Sequence, residues 1–146
     1  MLKNLSPLLT PNLLFGLSKM GHGDWAAIVD ANFPAHKVAQ QAGATLIEMP
    51  GMNSSVVLEA ILHVFPVDTF EKGSSLTMQV VGDEAAVPVP VSEFRHLLKQ
   101  HGESDPESLE RFAFYELARS ASVIVQTGDL RKYANILLRK GVISVD

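Results

Sequence analysis

The sequence predicts an α/β protein, a single three-layer α/β/α domain with a mostly parallel sheet covering residues 1–146. Three observations carry that expectation. Short apolar runs of strand length alternate with segments of helical periodicity, the pattern of a sheet covered by helices on both faces. One of those runs, Trp25-Ala26-Ala27-Ile28-Val29, is apolar without alternation, as befits a strand buried on both faces. Finally, 146 residues with 47% hydrophobic and 19% charged side chains suit one compact domain that can bury a core without staples.

The first element begins at Thr10-Pro11-Asn12. Thr10 is an N-cap, and Pro11 costs nothing at the first helical position, where its missing N–H would have no partner. Leu13, Leu14 and Leu17 share a face, Lys19 suits the negative end of the helix dipole, and Gly21 is expected as a left-handed stop. The Trp25 strand follows. Pro34 to Ala42 reads as a short helix, and Thr45 to Met49 as a strand halted by Pro50-Gly51. Asn53, Ser54 and Ser55 offer caps to a helix carrying Val57, Leu58, Ile61, Leu62 and Phe65 and closed by Pro66. Leu76 to Val81 is a strand ended by Gly82-Asp83. The run Val87-Pro88-Val89-Pro90 cannot fill a central strand, because proline donates no ladder hydrogen bond. Ser92 with Arg95 to Gln100 makes a helix, His101 to Glu110 an exposed loop, and Phe112 to Ala121 another helix. Val123 to Val125 is a strand ending at Thr127-Gly128. Ile136-Leu137-Leu138 is ambiguous by period alone and is read as a last strand running to Val145.

Composition removes several function classes. A formal net charge of −4 argues against nucleic-acid binding, which neutralises phosphates with Lys and Arg. The absence of cysteine rules out thiolate metal sites, cysteine nucleophiles and disulfides. The five histidines show no metal-ligand spacing, so no metal is expected. No apolar run approaches the ~20 residues that cross a bilayer, and the first residues lack the pattern of a signal peptide. A cytoplasmic protein without a membrane partner is the expectation.

Four segments could carry chemistry. In Gly21-His22-Gly23-Asp24 the glycines leave room around an imidazole, a side chain that can give or take a proton; taken alone, the tetrapeptide reads as a helix-ending turn with a surface histidine. Asp30 follows the apolar strand, at the edge where α/β sheets gather ligands, though it equally caps the turn into Ala31-Asn32. His36 is the weaker histidine, a solvated helix residue. Arg111 offers a planar fork for vicinal hydroxyls, and Tyr115 a phenol that donates and accepts; core packing of Phe112 and Tyr115 is the competing account. Tyr133 and Asn135 supply hydrogen-bonding groups after the Val123 strand, on what otherwise reads as a loop.

Taken together, the segments Met1-Leu2-Lys3 with Leu5-Ser6-Pro7, Lys19 to Asp24, Asp30 to His36, Arg111-Phe112-Ala113-Phe114-Tyr115-Glu116, Thr127-Gly128 and Tyr133 to Leu138 resemble the fucose mutarotase and ribose pyranase family, nearly end to end. The resemblance implies a cofactor-free isomerase acting on a free monosaccharide, fucose or ribose. It implies His22 as proton donor, Tyr115 as a second catalytic group, and Asp30, Arg111, Tyr133 and Asn135 as sugar ligands. It also implies a homo-oligomer, a ring-like decamer with sites near subunit contacts. The hexapeptide from Arg111 is similar to the fucose branch, whereas Tyr133-Ala134-Asn135 has the alanine common in the ribose branch; Lys37 to Gln100 matches least.

Overall fold

The computed structural model describes residues 1–145. A six-stranded sheet runs in the order β2-β5-β1-β6-β3-β4. Its strands are β1 (Trp25–Val29), β2 (Thr45–Met49), β3 (Ser75–Met78), β4 (Glu107–Leu109), β5 (Val123–Thr127) and β6 (Ile136–Arg139). Between them lie α1 (Pro11–Lys19), α2 (Ala35–Ala42), α3 (Ser54–Leu62), α4 (Val89–Gln100) and α5 (Arg111–Ala118). Parallel pairing joins β2 to β5, β5 to β1 and β3 to β4, while β6 runs antiparallel between β1 and β3.

The sheet has a core on each face, which makes the three layers. Leu13, Leu17, Leu58, Ile61, Phe94 and Leu98 from α1, α3 and α4 pack on Ala26, Ile28, Val125 and Leu138. Val38, Phe114 and Ala118 from α2 and α5 pack on Ala27, Val29, Ile124 and Leu137 of the opposite face. Alternate residues of β1 serve opposite cores, so the run must be apolar throughout. Fully burying one such large apolar side chain contributes ~1.5–3 kcal/mol.

Local chemistry sets most boundaries. Thr10 accepts the Leu13 N–H and Asn53 the Val56 N–H, so both expected caps form. Elsewhere the limits differ from those expected. α1 stops in an extended Met20, whose N–H donates to Leu17, and Lys140 Nζ donates to the Leu17 and Met20 carbonyls. Gly21 is therefore not the left-handed residue; Gly23 is, at φ 87°. Pro88 caps α4 and Pro90 lies in its first turn, where neither needs an N–H, so the helix begins before Ser92. α5 starts at Arg111 because Glu110 accepts the Phe112 and Ala113 N–H groups, and it ends at Ala118 rather than Ala121. β3 ends at Met78, since Val80 and Asp83 close a turn beyond it. The His101–Glu110 stretch contains the short edge strand β4.

β6 likewise ends at Arg139 instead of reaching Val145. Lys140 adds a single bridge to Val67, and Gly141 then lies so close to the Val67 backbone that a Cβ would stand 2.7 Å from its carbonyl oxygen. No helix among the described residues is long and apolar enough to cross a membrane.

Candidate active site

Five of the six residues singled out in the sequence meet at one edge of the sheet. Asp30 follows β1, and Arg111 follows β4 at the first position of α5. Tyr133 and Asn135 precede β6. Because β6 is antiparallel, its beginning lies at the edge where β1, β3, β4 and β5 end. That edge is where parallel sheets collect ligands. Asp30, Arg111, Tyr115, Tyr133 and Asn135 line one cavity of about 170 Å³, with Phe33, Met78, Val81 and Lys132 among the rest of its wall.

The polar centre of the cavity is a two-point clamp. Asn135 Oδ1 accepts the Asp30 backbone N–H at 2.8 Å, and its Nδ2 donates to Asp30 Oδ2 at 3.0 Å. The Asn32 N–H donates to Asp30 Oδ1 at 2.9 Å. Asp30 is buried, and burial pushes its pKa up, aided by the charge of Asp129, against the hydrogen bonds from Asn32 and Asn135. Tyr133 sits at φ 63°, a left-handed position that side chains rarely adopt, and its hydroxyl accepts the Val81 N–H at 3.1 Å. Such a backbone costs ~1–3 kcal/mol and persists where surrounding structure enforces it.

Arg111 Nε is buried without a hydrogen-bond partner, while the guanidinium lies 4.7 Å from the Phe112 ring centroid. Arg111 thus lines the cavity with a guanidinium whose Nε makes no hydrogen bond within the protein. Tyr115 is half-buried and stacks obliquely on Phe33, centroids 5.2 Å apart. Phe112 is exposed rather than core; Phe114 carries the helix's buried aromatic. The apolar wall of the cavity is thus Phe33, Tyr115, Met78 and Val81.

His22 does not join them within one chain. It precedes β1, at the opposite edge of the sheet from Asp30, with the five-residue strand between them, about 16 Å at ~3.3 Å per residue. There its Nε2 lies 3.2 Å from Asp68 Oδ1, and its ring meets Phe70 edge-on at 5.3 Å. Its loop is fixed: the Gly21 N–H donates to Asp24 Oδ2, and the Gly23 N–H to the Lys140 carbonyl. Asp68 is buried, and the Phe70 N–H, the His22 hydrogen bond and the Arg139 charge hold its carboxyl below the ordinary range. Arg139 Nε stands 3.6 Å from Asp68 Oδ2 and pairs also with Glu71. His36 is at neither place; it pairs with Glu48 on the surface.

Sequence reasoning missed Asp68, which lies in the stretch of weakest resemblance and reaches His22 across 46 residues. It also missed Phe33 and Met78 as cavity wall, although Phe33 stands in the Asp30–His36 segment already singled out.

Comparison with known proteins agrees with this fold. Residues 3–143 match the family described as the RbsD / FucU transport protein family, and the chain belongs to it. The fucose mutarotase of Danio rerio is 39% identical, over 97% of this chain and 94% of that protein. The L-fucose mutarotase of Actinobacillus pleuropneumoniae serotype 5b is 37% identical over 99% of each. The crystal structure of the fucose mutarotase from Streptococcus pneumoniae in complex with L-fucose superposes with a TM-score of 0.89, at 35% identity, over 98% of this chain and 100% of that one.

Proposed function

We propose that this protein is an L-fucose mutarotase, a cofactor-free isomerase interconverting the α and β anomers of the free sugar. The observation that carries the reading is the cavity holding Asp30, Arg111, Tyr115, Tyr133 and Asn135 together, with an apolar wall beside them. Its 170 Å³ suits one sugar ring, well below the ~300–1,000 Å³ of pockets for larger ligands. The full-length similarity to fucose mutarotases supports the choice of sugar. Phe33, Met78 and Val81 give the methyl group of fucose an apolar neighbour, a group that ribose lacks.

Mutarotation opens and recloses the bond between the anomeric carbon and the ring oxygen. The ring oxygen gains a proton while the anomeric hydroxyl loses one, and the open-chain aldehyde rotates before closing on its other face. No redox change or group transfer occurs, so positioned acid–base groups suffice, typically contributing ~10²–10⁴-fold. Asp30 and Asn135 hold sugar hydroxyls at fixed spacing, Arg111 supplies guanidinium N–H donors, and Tyr133 frames the mouth. Tyr115, or a water beside it, serves the anomeric hydroxyl.

His22 is the acid, and it reaches the ring oxygen from a neighbouring copy of the chain. Its distance from Asp30 within one chain supports this placement, as does the resemblance that implies a decamer with sites near subunit contacts. Exposed Phe70 beside His22, and exposed Val81 and Phe112 beside the cavity, give the two edges apolar rims to bury on each other. Asp68 orients the imidazole. A cysteine-free chain fits a cytoplasmic setting.

Saturation-transfer NMR tests the function. Irradiating one anomer of L-fucose should transfer saturation to the other in the presence of the protein, faster than pyranose–furanose exchange of D-ribose at matched concentration. Faster ribose exchange would overturn the choice of sugar, and binding without exchange would overturn the catalytic reading.

A further inference from the structure

Behind the cavity lies a buried hydroxyl pair that none of the chemistry above uses. Ser54 opens α3 and Thr127 closes β5; they are 0% and 2% exposed, and neither lines the cavity. Their hydroxyl oxygens are 3.0 Å apart. Ser54 Oγ donates to the Ala134 carbonyl at 2.7 Å, and Thr127 Oγ1 donates to the Val29 carbonyl at 2.9 Å. Val29 and Ala134 immediately precede Asp30 and Asn135. Each hydroxyl spends its one proton on a carbonyl, so the two are coupled through Asp129, which accepts the Ser54 N–H and donates its own N–H to Thr127 Oγ1, and together they hold from behind the two backbone positions that present the clamp.

The surroundings fix the pair in turn. The Ser54 N–H donates to Asp129 Oδ2 at 3.0 Å, the Asp129 N–H to Thr127 Oγ1 at 3.2 Å, and the Ala31 N–H to the Asp129 carbonyl at 2.9 Å. Arg131 grips both Asp129 oxygens at 3.0 and 2.9 Å and reaches Glu93 at 2.8 Å. Burial works against the Asp129 charge, but Arg131 and the Ser54 N–H outweigh it and keep the carboxyl below its ordinary value. Helix capping does not require the Ser54 hydroxyl, since Asn53 already caps α3. Alanine and valine would fill nearly the same space without desolvating two hydroxyls. What the hydroxyls add is a link between residues 29 and 134, which are 105 positions apart and meet only at this edge of the sheet.

We propose that Ser54 and Thr127 are positioning residues of the sugar site, setting the Asp30–Asn135 spacing through the Val29 and Ala134 carbonyls. The proposal rests on the reading of that cavity as the sugar site, but one of its two tests does not depend on activity. Thr127→Val keeps the shape and removes the hydroxyl; Thr127→Ser keeps the hydroxyl. In Thr127→Val, hydrogen exchange at the Asp30 amide should accelerate more than at the central β1 amides, because the Val29 carbonyl, in the same peptide unit as the Asp30 N–H, is no longer held. The kcat/KM for L-fucose should fall by ~10-fold or more, towards the 10²-fold that a misplacement of ~1 Å can cost. Thr127→Ser should restore both.

A purely structural role predicts a lower melting temperature, with Asp30 and the central β1 amides exchanging in step and kcat/KM unchanged in the folded protein. That result overturns the proposal, as does failure of Thr127→Ser to restore. If Thr127→Val does not fold, Ser54→Ala, which removes a single oxygen, is judged on the same two measurements. If the unaltered protein exchanges no anomers, the functional reading falls, and amide exchange alone decides whether the pair positions Asp30.

Discussion

Asp30→Asn probes the clamp most directly, because the structure allows its consequences to be worked through bond by bond. The carboxylate accepts two hydrogen bonds from fixed donors, the Asn32 N–H on Oδ1 and Asn135 Nδ2 on Oδ2. Asparagine has the same shape but turns one oxygen into an NH₂ group, so in either orientation one donor faces another. Asn135 cannot relieve the conflict by flipping its amide, because its Oδ1 holds the Asp30 N–H at 2.8 Å. Leaving a buried donor unsatisfied costs about 1–3 kcal/mol. Against this, the substitution removes a charge that burial disfavours. The opposed effects should leave the melting temperature nearly unchanged. Sugar binding has no such compensation. Losing a charged acceptor costs about 1.5–3 kcal/mol, which is roughly 10- to 150-fold in kcat/KM. Saturation transfer between fucose anomers over a range of concentrations, alongside thermal unfolding, measures both. Exchange within about threefold of the unaltered protein would refute the assignment of Asp30 as a sugar ligand.

Three further outcomes are expected. His22→Ala should lower anomer exchange by ~10²–10⁴-fold with fold and assembly intact, and His22→Gln should not rescue it; if Gln does restore activity, the histidine only binds. Gly128→Ala should sharply lower the melting temperature, because its Cβ would stand 1.8 Å from the Pro50 carbonyl oxygen and only backbone movement can relieve that; an unshifted melting curve would contradict the packing. Asp129 and Glu93 have carboxyls held below their ordinary values, so they stabilise the fold above the unfolded-state pKa and lose that contribution as the pH falls. Asp30 acts in the opposite sense, its raised pKa giving stability below the unfolded value that is lost as the pH rises. Asp129→Asn should therefore melt lower at neutral pH and lose less on acidification from about pH 5 to about pH 3; an unchanged pH dependence would count against the Arg131 clamp.

Much of the fold was legible because it is written in short-range chemistry. β1 and β2 have the expected limits, since an apolar run between turn residues has one obvious register with its own backbone. The Thr10 and Asn53 caps, each acting on an N–H three residues on, need only local information. Two departures came from distant groups: Lys140 meets the end of α1, and the Val67 backbone crowds Gly141 beyond β6.

The sequence by itself determined the alternation of strands and helices, the family, and the residue types able to handle a sugar. Only the tertiary structure decided where those residues stand. The direction of β6 is the deciding fact. An apolar run such as Ile136-Leu137-Leu138 specifies burial but not polarity, because side-chain alternation is the same in either direction. Running antiparallel, β6 delivers Tyr133 and Asn135 to the edge where Asp30 and Arg111 already stand, and Arg139 to the edge of His22 and Asp68. β6 thus delivers two of the five residues around the cavity, while β1 keeps the sixth, His22, at the opposite edge.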